Sequence, residues 1–226
     1  MWWRKEPRVW GRPLSQLNLD LTGMLPQLGT ELVVRPAWGH DHYRIEAVRR
    51  DNREWLSPWE ATLPVGSAER LPGLVGYRQR MEQQMVAGDA LSMIIEADHQ
   101  AAGMVSLGAV QHGAMSLANL GYWIAEEWSG RGIVTLATAA VADLALGELG
   151  LHRIEVNVRP ENAPSLAVCR RLGLRYEGLR TRYMNINGQW RDHHSYAVDQ
   201  EMLRSGPLAG GLVNALMRNT PQRPPQ

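Results

Sequence analysis

The sequence predicts a single α/β domain built on a mixed, mostly antiparallel sheet. Three observations carry this. An apolar segment ending at Tyr122-Trp123-Ile124-Ala125 runs through Ser129-Gly130-Arg131-Gly132 into Ile133-Val134-Thr135-Leu136-Ala137, a strand-to-helix junction marked by two glycines. Segments 90–96, 101–110 and 114–125 follow one another with short turn signals between them, which reads as a meander. Late in the chain, Asn187-Gly188 is a hairpin turn signal between two further extended runs.

At 226 residues the chain is long enough for one well-buried domain with short extensions. We divide it into an N-terminal extension (1–29), a domain (30–200) and a partly disordered tail (201–226). A net charge of +1 argues against a dominant attraction to nucleic acid. One cysteine excludes an intrachain disulfide framework and most multi-cysteine metal sites, so no metal is expected. No apolar run approaches the roughly 18 residues of a membrane span. Met1-Trp2-Trp3-Arg4-Lys5-Glu6-Pro7 leads into no secretory apolar core, and the expected location is the cytoplasm.

The elements follow in order. Residues 1–29 read as an extension packed on the domain surface, with a short helix near Leu14–Leu21. The first strand spans 30–36 and ends at Pro36. A helix over 40–52 spaces Tyr43, Ala47 and Val48 for one buried face. Trp55-Leu56-Ser57-Pro58-Trp59 is an apolar loop, and 70–88 is a second helical stretch. After the meander, turned at Asp98-His99-Gln100, a helix runs to Gly150. Leu151–Val158 alternates as a strand, Asn162 opens a helix that ends at Leu172-Gly173, and the hairpin closes the domain. Residues 211–218 have the composition of a short apolar helix.

The loop Ser129–Gly132 is a phosphate cradle by its chemistry. Glycines let backbone N–H groups converge, and the helix behind them adds unpaired donors and a partial positive charge. Tight packing is the alternative use of such a loop. A dinucleotide-binding fold is excluded, because it needs several further strand and helix units. Fewer than 100 residues remain here, with one clear helix before an antiparallel hairpin.

Taken together, Gly130-x-Gly132, Asn162-x-x-Ser165, Leu172-Gly173 and Asn187-Gly188-Gln189-Trp190-Arg191-Asp192-His193 resemble the GNAT superfamily of N-acetyltransferases, in particular its RimJ/RimL type, which acetylates ribosomal-protein N-termini. The resemblance covers roughly 31–197. It implies a GNAT fold, a mostly antiparallel twisted sheet flanked by helices on both faces, with acetyl-CoA as co-substrate. It further implies that Ser129, Gly130, Arg131, Gly132, Ile133 and Val134 hold the pyrophosphate. The strand end Trp123-Ile124-Ala125 would splay from its neighbour to admit the pantetheine arm, a backbone N–H there polarising the thioester carbonyl.

Asn162 reads as an N-cap, which places Ser165 at the third helical position. The resemblance aligns Ser165 with the serine that hydrogen-bonds the coenzyme sulfur; a serine at that position also completes an ordinary capping pattern. Cys169, one turn on, is either a covalent acetyl carrier or a buried, inert thiol. Trp55 and Trp59 either border the acceptor slot, as a similar loop does in Rim-type enzymes, or act as core lids. The base is less legible. A glutamate found in some relatives falls on Met184, Glu155 is the first choice and a structural ion pair its rival, and His193-His194 favours packing over zinc. Glu127 replaces the family's usual Gln or Arg at the head of the loop, and Leu174 its usual aromatic.

The resulting expectation is an enzyme that moves acetyl from acetyl-CoA to an amine by direct attack in a ternary complex, with Ser165 and Glu155 as catalytic residues. A protein N-terminus is the first acceptor, a small amine such as a drug or polyamine the second. A coenzyme-binding sensor without turnover is the reading from another class. A monomer or homodimer is expected, with no nucleic-acid or membrane partner.

Overall fold

A computed structural model describes residues 6–211. An eight-stranded sheet runs in the order β3-β4-β5-β6-β7-β8-β10-β9. Its strands are β3 (Leu19–Asp20), β4 (Leu32–Pro36), β5 (Leu91–Ala97), β6 (Gln100–Gln111), β7 (Leu117–Ile124), β8 (Arg153–Val158), β9 (Arg175–Ile186) and β10 (Gln189–Asp199). Every pairing is antiparallel except β7 with β8. The two tight turns have the sequence chemistry they require. Asp98 and His99 join β5 to β6 at φ 49° and 63°, and Asn187-Gly188 joins β9 to β10 at φ 50° and 78°.

The helices are α1 (Asp41–Asp51), α2 (Arg53–Leu56), α3 (Leu74–Ala87), α4 (Ile133–Gly147) and α5 (Ala163–Arg171). Helix α4 is buried on nearly every side, from Ile133 to Leu146. It packs with Val105, Leu107, Leu120, Ile154 and Val156 of the sheet in the main core. A smaller cluster of Ala37, Ile45 and Ile94, with Trp123 against it, seats α1 on the other face. By alternation, neighbouring residues of β7 serve opposite faces: Tyr122 packs on the main core and Trp123 on the α1 side.

Two expectations change. The buried face of α1 is Asp41, His42 and Ile45, while Tyr43 is exposed and stacks on His40. The helix is pinned by charge as much as by apolar spacing: Arg35 donates to Asp41 at 2.7 and 2.9 Å and to Glu96 at 2.6 Å. The segment before residue 30 is built into the domain rather than laid upon it. A two-residue hairpin, β1 (Arg8–Val9) with β2 (Arg12–Pro13), precedes a 3-10 turn at Leu14–Leu17, and β3 then extends the sheet. Val9, Leu17, Leu21 and Leu25 join the main core, and the Trp10 indole donates to the Ala90 carbonyl at 3.0 Å. The helix read at 211–218 lies outside the described residues except for Gly211. Among the described residues, no helix is long and apolar enough to cross a membrane.

Candidate active site

Parallel pairing of β7 with β8 lasts three residues: Leu117 with Arg153, Ala118 with Ile154, and Asn119 with Glu155. Beyond them the strands part. β7 stays bonded to β6 as far as Ile124, and β8 to β10 as far as Val158. Each arm is therefore held on its outer side, and a wedge opens between Leu120–Ile124 and Val156–Val158.

The arm at Trp123–Ala125 shows which groups face this gap. A Cβ on Gly103 would collide with the Trp123 carbonyl, and the Ala125 N–H donates to the Ala102 carbonyl at 2.8 Å. Both groups therefore point toward β6, and strand alternation turns the N–H and carbonyl of Ile124 into the gap. The Trp55 indole takes that carbonyl at 3.1 Å. The Ile124 N–H is then a gap-facing donor at the end of this arm. Gly103 was not legible as a site residue, since its need for a bare Cα comes from β7, some 20 positions away in the chain.

The loop before α4 is built on left-handed glycines, Gly130 at φ 73° and Gly132 at φ 84°, conformations that other residues adopt at a cost. A Cβ at Gly130 would meet nothing within 4 Å, and one at Gly132 only the Leu25 methyls at 3.9 Å. The space above the loop is thus open. The bond from Leu136 N–H to the Gly132 carbonyl, 3.0 Å, bypasses the amides of Ile133, Val134 and Thr135, the first-turn donors that a helix offers to an anion. Ser129 contributes less, because its N–H is spent on the Glu126 carbonyl. The Arg131 guanidinium lies over Trp128, 4.9 Å from the ring centre. A cradle of backbone donors whose roof a Cβ would fill fits the pyrophosphate of coenzyme A.

Across the gap, Asn162 caps α5: its Oδ1 accepts from the Ser165 N–H at 3.1 Å. The cap therefore uses the backbone of Ser165 and leaves its hydroxyl available. That hydroxyl lies 2.7 Å from the Tyr122 phenol oxygen, which is also 3.2 Å from the Ser165 carbonyl. Tyr122 stands on the diverging arm of β7 and Ser165 on the helix that follows β8, so the pair spans the wedge. Burial holds the Tyr122 pKa far above the ordinary phenol range. Cys169 is fully buried beside Tyr122, and burial pushes its thiol up to about 11. This favours the inert thiol over the acetyl carrier.

The geometry likewise favours the structural alternative for Glu155. Its Oε1 accepts from Arg153 at 3.0 Å and its Oε2 from Arg180 at 2.7 Å, so both oxygens already face cations. Arg153 continues to Glu177, which Arg175 also holds, and Arg175 reaches Asp199 at 2.8 Å. The chain of charges ties β8, β9 and β10 together. Met184 pairs with Arg191 across the closing hairpin. His193 is buried with Nδ1 3.1 Å from the Arg191 carbonyl, and His194 meets the Tyr176 hydroxyl at 3.2 Å. Asn157 donates to Asn119 at 3.0 Å at the throat of the wedge, and its own Oδ1 is buried without a partner among the described residues.

The aromatic stretch expected as a loop is the end of α2 followed by a 3-10 turn at Ser57–Trp59, and it closes the other side. Besides the bond from Trp55 to β7, Arg159, next after the last residue of β8, donates to the Pro58 carbonyl at 2.7 Å and lies over the Trp59 ring. Asn187 at the hairpin tip donates to the Ser57 carbonyl at 3.0 Å. Residues 55–59 thus bridge the two arms at the mouth of the gap.

Comparison with known proteins agrees with this geometry. The sequence model of the acetyltransferase (GNAT) domain matches residues 31–175. A Bacillus subtilis relative described as the probable N-acetyltransferase YjcK is 35% identical over 175 residues, 75% of this chain and 94% of the relative. The [ribosomal protein uS5]-alanine N-acetyltransferase of Escherichia coli is 30% identical over 168 residues, 72% of this chain and 84% of the relative. Among solved structures, Mycobacterium smegmatis RimJ in complex with CoA-disulfide superposes with a TM-score of 0.73 at 34% identity, covering 82% of this chain and 89% of that one. The chain belongs to the acetyltransferase (GNAT) family and is an acetyl-CoA-dependent N-acetyltransferase.

Proposed function

We propose that the acceptor is the α-amine of a protein N-terminus, that of a ribosomal protein first, acetylated in the cytoplasm by direct attack on acetyl-CoA in a ternary complex. One observation carries this reading: the two faces of the wedge are furnished differently. On the side of the main core stand the first-turn amides of α4 and the hydroxyl of Ser165. The mouth is bridged by the segment carrying Trp55 and Trp59, anchored on the Ile124 carbonyl of one arm and on the Arg159 side chain just beyond the other.

In this reading the amides of Ile133 and Val134 and the loop Gly130–Gly132 bind the pyrophosphate. The Ile124 N–H polarises the thioester carbonyl as negative charge grows on its oxygen. Ser165 donates to the sulfur as the C–S bond lengthens, a contact that strengthens in the transition state and so acts on kcat. Trp55 and Trp59 line the approach of an extended peptide terminus. An α-amine, with a reference pKa of about 7.7–8.0, needs little help to lose its proton, whereas a lysine near about 10.4 needs a strong base. With Glu155 held by two guanidinium groups, no carboxylate of β8 is offered as that base, which supports the α-amine. The uS5-alanine relative points the same way.

The test is acetyl-CoA turnover, read as free thiol, against N-terminal peptides, lysine peptides and small amines. Preference for N-terminal peptides is the expected result. Faster turnover of a polyamine or a drug amine replaces the acceptor with the small-molecule class. Tight coenzyme binding without turnover of any amine replaces the enzyme reading of this chain with a sensor.

A further inference from the structure

We infer that Tyr122 is a positioning residue for acyl transfer, holding the Ser165 hydroxyl as a donor toward the departing sulfur. The inference rests on the role proposed above for Ser165.

The phenol oxygen of Tyr122 has Ser165 Oγ at 2.7 Å and the Ser165 carbonyl oxygen at 3.2 Å. The backbone of Ser165 is fixed from the other side by the Asn162 cap, so the freedom that matters between the two residues is the rotation of their hydroxyl protons. The phenol also hydrogen-bonds the buried Cys169 thiol, and of its possible arrangements two bear on the serine, since a carbonyl oxygen only accepts. In the first, Tyr122 donates to the carbonyl while Ser165 donates to the phenol oxygen, and the serine proton is committed. In the second, Tyr122 donates to Ser165 Oγ, and the serine proton is free to point into the wedge. Negative charge arriving on a sulfur there selects the second arrangement. A hydroxyl that already accepts a hydrogen bond is also the better donor, because the two bonds polarise one another.

The step itself moves no proton from Tyr122. The amine nitrogen bonds to the thioester carbonyl carbon, the C–S bond breaks, and its electron pair leaves on sulfur. The thiolate of an ordinary alkyl thiol, of pKa about 8.5, persists without taking a proton from an alcohol or a phenol. The proton shed by the amine completes the free thiol through solvent. Burial of Tyr122 disfavours its phenolate further, which suits a residue that must keep its proton and direct another.

The test is a double-mutant cycle read in single turnover, so that product release does not mask chemistry. Tyr122→Phe keeps the ring in the core and deletes the hydroxyl. We expect it to slow acyl transfer about 5- to 50-fold with the acetyl-CoA Kd unchanged. In a Ser165→Ala background it should cost nothing more. An equal loss in both backgrounds would make Tyr122 independent of Ser165 and overturn the inference. So would a wild-type rate for Tyr122→Phe beside a slow Ser165→Ala. A wild-type rate for Ser165→Ala fails the serine role first, and this inference with it. If Tyr122→Phe does not fold, 3-fluorotyrosine at position 122 keeps shape and hydroxyl but strengthens the donor. The rate should then rise with the melting temperature unmoved, and an unmoved rate overturns the inference.

Discussion

The guanidinium of Arg159 lies 5.4 Å from the centre of the Trp59 ring while its Nη1 donates to the neighbouring Pro58 carbonyl. The first residue beyond β8 thus holds the aromatic loop by backbone and side chain together. Trp59→Ala should remove the ring from the mouth of the wedge without loosening the backbone bond. We expect the peptide KM to rise about 3- to 30-fold, with acetyl-CoA affinity unaltered. A fall in melting temperature with unchanged acceptor kinetics would assign Trp59 to packing alone.

Ser165→Ala separates catalysis from binding. The Asn162 cap uses the Ser165 N–H, which the variant keeps, so stability should fall by no more than about 1 kcal/mol for the lost bond to Tyr122. kcat with saturating acceptor should drop about 10- to 1,000-fold, and the acetyl-CoA Kd should barely move. A wild-type kcat under conditions where chemistry limits turnover removes the donor role.

Gly132→Val tests the phosphate cradle. At φ 84° a β-branched residue is strained by about 1–3 kcal/mol, and its side chain would occupy the open space above the loop. Acetyl-CoA affinity should fall at least about tenfold in a protein that still folds. An unchanged calorimetric affinity would refute the cradle.

Glu155→Gln should cost stability rather than chemistry. Losing the charge between Arg153 and Arg180 should destabilise by about 1–3 kcal/mol, while kcat stays near wild type and its pH profile keeps its shape. A collapse of kcat with the loss of an acidic limb would restore Glu155 as the base.

The same network gives a pH signature. Bonds from Arg153 pull the Glu177 carboxyl from 4.5 down to about 2, against the opposing effect of burial and with further help from Arg175. A carboxylate whose folded pKa is depressed stabilises the fold fully above the unfolded value and loses that contribution as pH falls through the folded one. Glu177→Gln should therefore melt below wild type at neutral pH, and the two curves should converge as pH falls from about 4.5 toward about 2. A constant gap down to pH 2 would contradict the assignment.

Much of this was written locally. Positive-φ turns at Asp98-His99 and Asn187-Gly188, the left-handed glycines of the α4 loop and the Asn162 cap are each set by a few adjacent residues, and local chemistry was enough to read them. The features that were not legible depend on distant partners. Tyr43 is spaced as a core residue, yet the inner face of α1 is claimed by Asp41, which answers Arg35 of β4. The stretch Leu14–Leu21 reads as a short helix on the surface, and only the position of β3 at the sheet edge shows that Leu17 and Leu21 complete the core. Tyr122 belonged to an unremarkable strand until α5 brought Ser165 against it. Glu155 alternated correctly onto its face, but nothing within β8 beyond Arg153 announced that Arg180 would occupy its second oxygen.

The wedge between β7 and β8 places two unfinished sheet edges in the interior of the molecule. An outer edge can be joined sideways by any strand that drifts past. These two cannot, because β6 and β10 already occupy the far side of each arm, and the arms meet at Asn119 and Glu155. The slot can instead pair on both sides at once with one extended filament that carries its own alternating donors and acceptors.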